Sequence, residues 1–285
     1  MKTLSYLVVF VFIFLILTGC KKEDAILPLY AIGFDGKPII VAPSSKVSIK
    51  FNQRVTWTVS GGSAIQDSQD SLVYTAPASV GVYRMTVKNE RDLGDSLVIK
   101  MVITPRASIL KALQKGGYSL VFRHAAADVG ADQFASTQPN WWKSCDANLA
   151  RQLNDQGKKD AEAIGKALHV LEIPVGRVYT SEYCRCSTTA DLMNLGVAPQ
   201  PSKDLTYYVY DEANRYNNTL KLATEQPIDA NNTVLVIHAG FSTMPSPAPM
   251  NGLGWGDAAI FQLVAVQTAR YITTIKVNEL TELSK

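Results

Sequence analysis

Tyr118-Ser119-Leu120-Val121-Phe122-Arg123-His124 is the stretch that decides how the second half of this chain folds. Its apolar residues run on without alternating with polar ones, and the run ends abruptly at an Arg-His pair. A short continuous apolar run is the pattern of a strand covered on both faces, as in a parallel sheet. The pattern returns at Thr233-Val234-Leu235-Val236-Ile237, which leads into His238. A further strand, Arg177-Val178-Tyr179-Thr180, leads to Ser181-Glu182-Tyr183-Cys184-Arg185. Between these strands the period changes to that of helices. Ala107 to Lys115 is amphipathic, Asn154 to Leu171 places Ala161, Ile164, Ala167 and Leu168 on one face, and Ser187 to Leu195 forms another helical stretch. Strand–helix alternation predicts a layered α/β domain with a mostly parallel sheet over residues 105–285. Functional groups in such sheets gather at the carboxyl ends of the strands.

Arg123, His124, Arg185 and His238 all fall at such ends, so three strands deliver two histidines and two arginines toward one edge. That set suits phosphoryl transfer. An imidazole can attack phosphorus and divide hydrolysis into two steps. The spread charge of the transferring group needs fixed cations directed at its oxygens. Arginine meets that need with a planar fork that stays charged. A second histidine can bind phosphate or move a proton.

Four stretches carry a family resemblance, in order. They are Leu120-Val121-Phe122-Arg123-His124, Leu153 to Ala161 with Gly157 at its centre, Ser181 to Ala190 with Arg185 and Thr189, and Val234-Leu235-Val236-Ile237-His238-Ala239. Together they resemble the motifs of the histidine phosphatase (phosphoglycerate-mutase-like) superfamily. The resemblance implies that His124 is the phosphate-accepting nucleophile, and that Arg123, Arg185 and His238 complete the phosphate site. It implies no metal and no organic cofactor, and a small phosphorylated substrate or phosphoprotein. Asp257, in Gly256-Asp257-Ala258-Ala259, lies where related secreted members carry an acid, with Asp211 and Glu212 as rivals for the proton donor. Two departures stand out: Ala125 occupies a position where the family commonly has glycine, and Met244 to Pro249 is proline-rich. Trp141 and Trp142 could face a substrate or cover the core. His169, outside every motif, reads as structural or exposed.

Residues 27–104 alternate apolar and polar residues instead, in Val47–Phe51, Val55–Val59 and Val82–Val87. Turn clusters such as Ser60-Gly61-Gly62-Ser63 separate them, which predicts an antiparallel sandwich. Val55-Thr56-Trp57-Thr58-Val59-Ser60-Gly61-Gly62 with Tyr74-Thr75-Ala76-Pro77 resembles a bacterial immunoglobulin-like domain. It is expected to serve as a spacer, with glycan or protein binding as the other reading.

The apolar run Leu4 to Leu17 is too short to span a bilayer and reads as a signal peptide over residues 1–19. Leu17-Thr18-Gly19-Cys20 resembles a lipobox, which implies a lipid on Cys20, a tether over 20–26 and a membrane-anchored location at the cell surface or in the periplasm, on a bacterial outer membrane. Cys145, Cys184 and Cys186 remain, and in an oxidising compartment Cys145 is expected to pair with Cys184 or Cys186. The chain is 47% hydrophobic and 19% charged with a net charge of +3, enough for a buried core and too little charge to argue for nucleic acid. Set against a phosphatase is a non-catalytic surface adhesion or glycan-associated lipoprotein with a vestigial fold of the same kind.

Overall fold

The computed structural model describes residues 27–265 and 268–285. The expected signal peptide, the lipid site at Cys20 and the expected tether lie outside the described residues.

The first half forms seven strands: β1 (Ile39–Val41), β2 (Lys46–Lys50), β3 (Val55–Val59), β4 (Ser63–Ser68), β5 (Ser71–Thr75), β6 (Gly81–Asn89) and β7 (Ser96–Ile103). They make a four-stranded sheet, β1-β7-β6-β3, and a three-stranded sheet, β2-β5-β4. Ile49, Leu72 and Tyr74 from the smaller sheet share one buried cluster with Met85, Val87, Ile99 and Met101 from the larger. Two sheets that bury a common face are a sandwich, and the alternation read from the sequence marks that face; the pairing is not antiparallel throughout as expected, since β1 runs parallel to β7.

The second half is the layered α/β domain. Its elements are α1 (Ala107–Leu113), β8 (Tyr118–Arg123), α2 (Asp155–Val170), β9 (Val175–Ser181), α3 (Cys184–Met193), β10 (Gln200–Ser202), α4 (Arg215–Thr224), β11 (Asn232–Ile237), β12 (Ala258–Ala265), β13 (Thr268–Ile275) and α5 (Val277–Thr281). The sheet order is β10-β9-β11-β8-β12-β13. The strands β10, β9, β11 and β8 are parallel, while β12 runs antiparallel to β8 and to β13. Along β8, Leu120 and Phe122 enter the core beneath α1, α2 and α3. Val121 between them joins Tyr216 and Ala223 of α4 on the opposite face. Both faces of the strand therefore need apolar residues, which is why its sequence does not alternate.

The two halves share a core. Ile40 of β1 and Val102 of β7 project from the outer face of the sandwich into the cluster formed by α1, α2 and the sheet. Gln114 Nε2 bridges the Pro38 carbonyl at 3.3 Å and the Leu171 carbonyl at 2.9 Å. The sandwich is thus packed against the α/β domain through buried side chains.

Local chemistry starts α2 where the sequence suggests. The Asn154 side chain accepts the Gly157 amide at 2.7 Å, the usual service of an N-cap. Gly157 itself lies against the backbone of Ala126, where an added Cβ would come within 2.1 Å of the Ala126 carbonyl oxygen. This close approach sets the helix against the segment that follows His124. Helix α3 begins at Cys184, earlier than the spacing suggests, so Cys184, Arg185 and Cys186 are helical residues rather than strand residues.

Candidate active site

β8 ends at Arg123, β9 at Ser181 and β11 at Ile237, and the parallel pairing puts the three ends at one edge. Arg123, His124, Arg185 and His238 meet there. The two imidazole rings lie with centroids 5.2 Å apart, and both side chains are buried.

Hydrogen bonds settle the tautomer of each ring. His124 Nδ1 lies 2.8 Å from the Ala125 carbonyl, which can only accept, so Nδ1 carries the hydrogen and Nε2 keeps its lone pair. His238 Nδ1 lies 3.4 Å from Arg185 Nη2, which can only donate. His238 therefore carries its hydrogen on Nε2, which faces Ser181 Oγ at 2.8 Å. Burial holds both rings well below the ordinary histidine pKa, and the Arg185 guanidinium pushes them lower still. Both are neutral at neutral pH, and His124 presents an unprotonated nitrogen.

Arg185 stands on the first turn of α3 with its side chain wholly enclosed. Nη1 donates to Asp132 Oδ1 at 2.8 Å and Nη2 to Oδ2 at 3.2 Å, a two-pronged pair. Its guanidinium carbon lies 4.2 Å from the centroid of the Tyr183 ring. Asp132 also accepts the Arg151 amide at 3.0 Å, and the Arg151 guanidinium lies 3.9 Å from its carboxylate. Arg123 donates through Nη1 to the Leu253 carbonyl at 3.0 Å. Three arginines thus converge on two neutral histidines. Burial lowers the pKa of Arg123, and the nearby charges of Arg151 and Arg185 lower it further.

The Nε–H groups of Arg123, Arg151 and Arg185 are all buried without a hydrogen-bond partner among the described residues. An orphaned buried donor costs roughly 1–3 kcal/mol, more when it belongs to a charged group. Three guanidinium groups beside one histidine pair make a positively charged site suited to an anion.

The supports of this site are local. Thr189 Oγ1 donates to the Arg185 carbonyl and accepts the Ala125 amide at 3.2 Å, tying α3 to the residue after His124. Ala125, where a glycine was the expectation, is fully buried beside Ala127, Leu153 and Ala161, so its methyl group is part of the packing. Gly256, at φ +73°, donates its amide to the Arg123 and His124 carbonyls. Arg215 donates to the His238 and Gly240 carbonyls at 3.1 and 2.7 Å and fixes the turn after β11.

The three acids named from the sequence are engaged elsewhere. Asp257 reaches the correct edge, ahead of β12, but its carboxylate accepts Gly254 N at 2.9 Å, Lys276 Nζ at 2.8 Å and Val277 N at 3.0 Å. Its carboxylate is thus engaged by three donors, one of them an ammonium, which fasten it to the start of α5. Glu212 is paired with Arg215 at 2.7 Å. Asp211 is exposed and accepts Asn214 Nδ2 at 3.0 Å. The carboxylate that touches the arginine cluster is Asp132, which the sequence reading passed over together with Arg151. Arg151 stands two residues before Leu153, where the second motif begins, but nothing in its own neighbourhood marks it.

Cys145 is bonded to Cys184, with Cα atoms 5.3 Å apart, and Cys186 is a buried thiol. The bridge joins the loop that carries Asp132 to the residue beside Arg185. Cys186 Sγ sits 3.3 Å from His238 Nε2, and burial pushes its thiol pKa up to about 12. His169 is exposed, with Nε2 2.8 Å from the Asn194 carbonyl.

No protein-family model matches the chain. No curated protein matches it. Among solved structures it is similar to the protein histidine phosphatase SixA complexed with tungstate, at 16% identity and a TM-score of 0.40, over 57% of this chain and 99% of that one. It is similar to a mutant phosphoserine phosphatase from Entamoeba histolytica in complex with phosphoserine, at 11% identity and a TM-score of 0.36, over 57% of this chain and 98% of that one. It is also similar to a mycobacterial glucosyl-3-phosphoglycerate phosphatase with inorganic phosphate, at 13% identity and a TM-score of 0.37, over 56% of this chain and 97% of that one.

Proposed function

We propose that this protein hydrolyses a phosphomonoester through a phosphohistidine on His124. The observation that carries the reading is the convergence of the Arg123, Arg151 and Arg185 guanidiniums on His124, whose Nε2 is unprotonated. The guanidinium donors match phosphate oxygens, and their positive charge opposes the negative charge that spreads over the oxygens during transfer.

His124 Nε2 attacks phosphorus and the bond from phosphorus to the leaving oxygen breaks, leaving phospho-His124. The Nδ1–H bond to the Ala125 carbonyl holds the ring and offsets the positive charge it acquires. His238 is neutral beforehand; an incoming phosphate dianion favours its protonated form, which then donates to a phosphate oxygen. Asp132 holds the Arg185 fork in place. The leaving oxygen takes up a proton from solvent as its bond to phosphorus breaks. A water molecule then attacks phosphorus, cleaves the phosphorus–nitrogen bond and gives up a proton to solvent, releasing phosphate and restoring His124.

The immunoglobulin-like character of the sandwich, the lipid on Cys20 and a location outside the cytoplasm complete the reading. The motif after Leu17 and the disulfide between Cys145 and Cys184 support that location. The test is phosphate release from an aryl phosphate in the presence of a chelator, with acid-quench trapping of phosphorylated protein. Turnover and trapped phosphate in the native protein, both lost in His124→Ala, are the expected results. Turnover that survives His124→Ala would refute the nucleophile.

A further inference from the structure

The loop from Ala126 to Leu149 and the segment from Tyr207 to Tyr210 carry six aromatic rings, and with Tyr183 they form one connected wall beside the histidine pair. Phe134 is its hub, edge-on to Trp141 at 5.4 Å, Tyr207 at 6.2 Å and Tyr208 at 5.6 Å between centroids. The wall reaches the site directly, since Tyr207 and Tyr183 lie 5.6 and 5.0 Å from the His238 ring. At its outer end Trp142 packs against Tyr210 at 5.9 Å.

The wall is built to stay in place. Glu182, just beyond β9, accepts Trp142 Nε1 at 3.0 Å and Tyr210 Oη at 2.6 Å, and pairs with Lys143 at 3.1 Å. These three bonds tie the two ring-bearing segments together. The Cys145–Cys184 bridge anchors the same loop from below. Tyr208 is held at φ +61°, a left-handed backbone that bulky residues rarely adopt, while its amide is held by Glu212 Oε2 at 2.9 Å. Such strain costs of order 1 kcal/mol or more and persists where the surroundings impose it. Despite this bracing, Phe134 and Tyr208 are 52% and 60% exposed, an arrangement with no benefit to the core.

A cleft of about 300 Å³ opens at this point, lined by Gly130, Ala131, Asp132, Phe134, Arg151 and Tyr207. It joins the charged floor to the ring wall. Its volume is about twice that of a cavity known to accept benzene, roughly 150 Å³. Arg151 is the cation of its lining and stands beside Asp132, so a leaving group bearing further phosphates finds no second cation there.

We infer that this cleft is the leaving-group subsite, and that the substrate is a phosphomonoester whose leaving alcohol carries an aromatic ring, seated against Phe134 and Tyr207 of its lining, which Tyr208 backs. This inference rests on the phosphatase reading and specifies its substrate class. A phosphorylated tyrosine side chain and a free aryl or arylmethyl phosphate share that chemistry.

The experiment compares benzyl phosphate with ethyl phosphate, two alkyl esters that differ in the ring and little in the reacting oxygen. A kcat/KM at least tenfold higher for benzyl phosphate is expected, on the scale of one to two ring–ring contacts. In Phe134→Ala and Tyr208→Ala that ratio falls severalfold toward unity. Equal kcat/KM for the two esters in the native protein, or a ratio untouched by both substitutions, overturns the subsite and leaves the phosphatase reading standing. Kd values for benzylphosphonate and ethylphosphonate, which cannot be hydrolysed, separate the two ideas. A tenfold preference for the ring without turnover of either ester supports the subsite and overturns the phosphatase. A peptide carrying phosphotyrosine, turned over as fast as benzyl phosphate, places the ring on a protein; slower turnover of the peptide places it on a small molecule.

Discussion

Replacing Arg151 with methionine tests the part of the site that no motif announces. Methionine keeps much of the length and apolar bulk of the side chain while removing its charge and donors. Arg151 lines the cleft beside Asp132, so in the substrate complex its guanidinium can donate a charge-assisted hydrogen bond to a phosphate oxygen. Such bonds contribute about 1.5–3 kcal/mol, which corresponds to a loss of roughly 13-fold to 150-fold in kcat/KM. Stability should change little. The Arg151 side chain is 34% exposed and its contact with Asp132 is a loose 3.9 Å, whereas Arg185 continues to hold that carboxylate at 2.8 Å. A change within about 1 kcal/mol is expected from losing a partly exposed pair of this kind. The assay is the initial rate of aryl phosphate hydrolysis with inhibition by inorganic phosphate, beside a thermal melt. Lys158→Met on the exposed side of α2 serves as the charge-matched control. A loss below threefold in kcat/KM, with phosphate inhibition unchanged, would refute the place given to Arg151.

Asp257→Asn should keep kcat within about threefold while lowering stability by about 1–3 kcal/mol, because the bonds to Lys276, Val277 and Gly254 lose their ionic character; a collapse of kcat in a variant that melts normally would return the acid role to Asp257. The disulfide closes a sequence separation of 39, so Cys145→Ser should cost about 4 kcal/mol in a denaturant melt. An unchanged midpoint would contradict that value. Because burial holds His124 and His238 well below their unfolded pKa of about 6.5, the unfolded chain binds more protons than the native one at acidic pH. Stability therefore rises with pH through the range below about 6.5 and is lost as pH falls. The melting temperature should be lower at pH 5 than at pH 7, with a flatter slope in His124→Gln; an equal slope in the two proteins would argue that the histidines are not the groups responsible.

Arg123, His124, Arg185 and His238 could be placed from the sequence because each follows a recognisable strand or opens a helix. Strand periodicity is a local property, set by which faces are covered, and the parallel pairing then brings the strand ends to one edge. Alternation likewise identified strands of the sandwich in residues 27–104, since a half-exposed sheet must repeat every second residue. The hairpin of β12 and β13 carries no such plain signal: β12 is buried over most of its length, and much of β13 is exposed. Asp257 shows the limit most directly. Its position ahead of β12 was legible, but Lys276 and Val277, which hold its carboxylate, approach only when α5 returns to the sheet edge. Asp132, Phe134 and Arg151 lie in or beside a long irregular loop, where no repeat relates a residue to its neighbours. Their meeting with Arg185 and His238 depends on the Cys145–Cys184 bridge and the bonds of Glu182, contacts across 28 to 40 residues of sequence. The histidines and their strands were thus determined by local pattern, whereas the third arginine, the partner of Arg185 and the ring wall were decided by long-range packing, which sequence spacing does not encode.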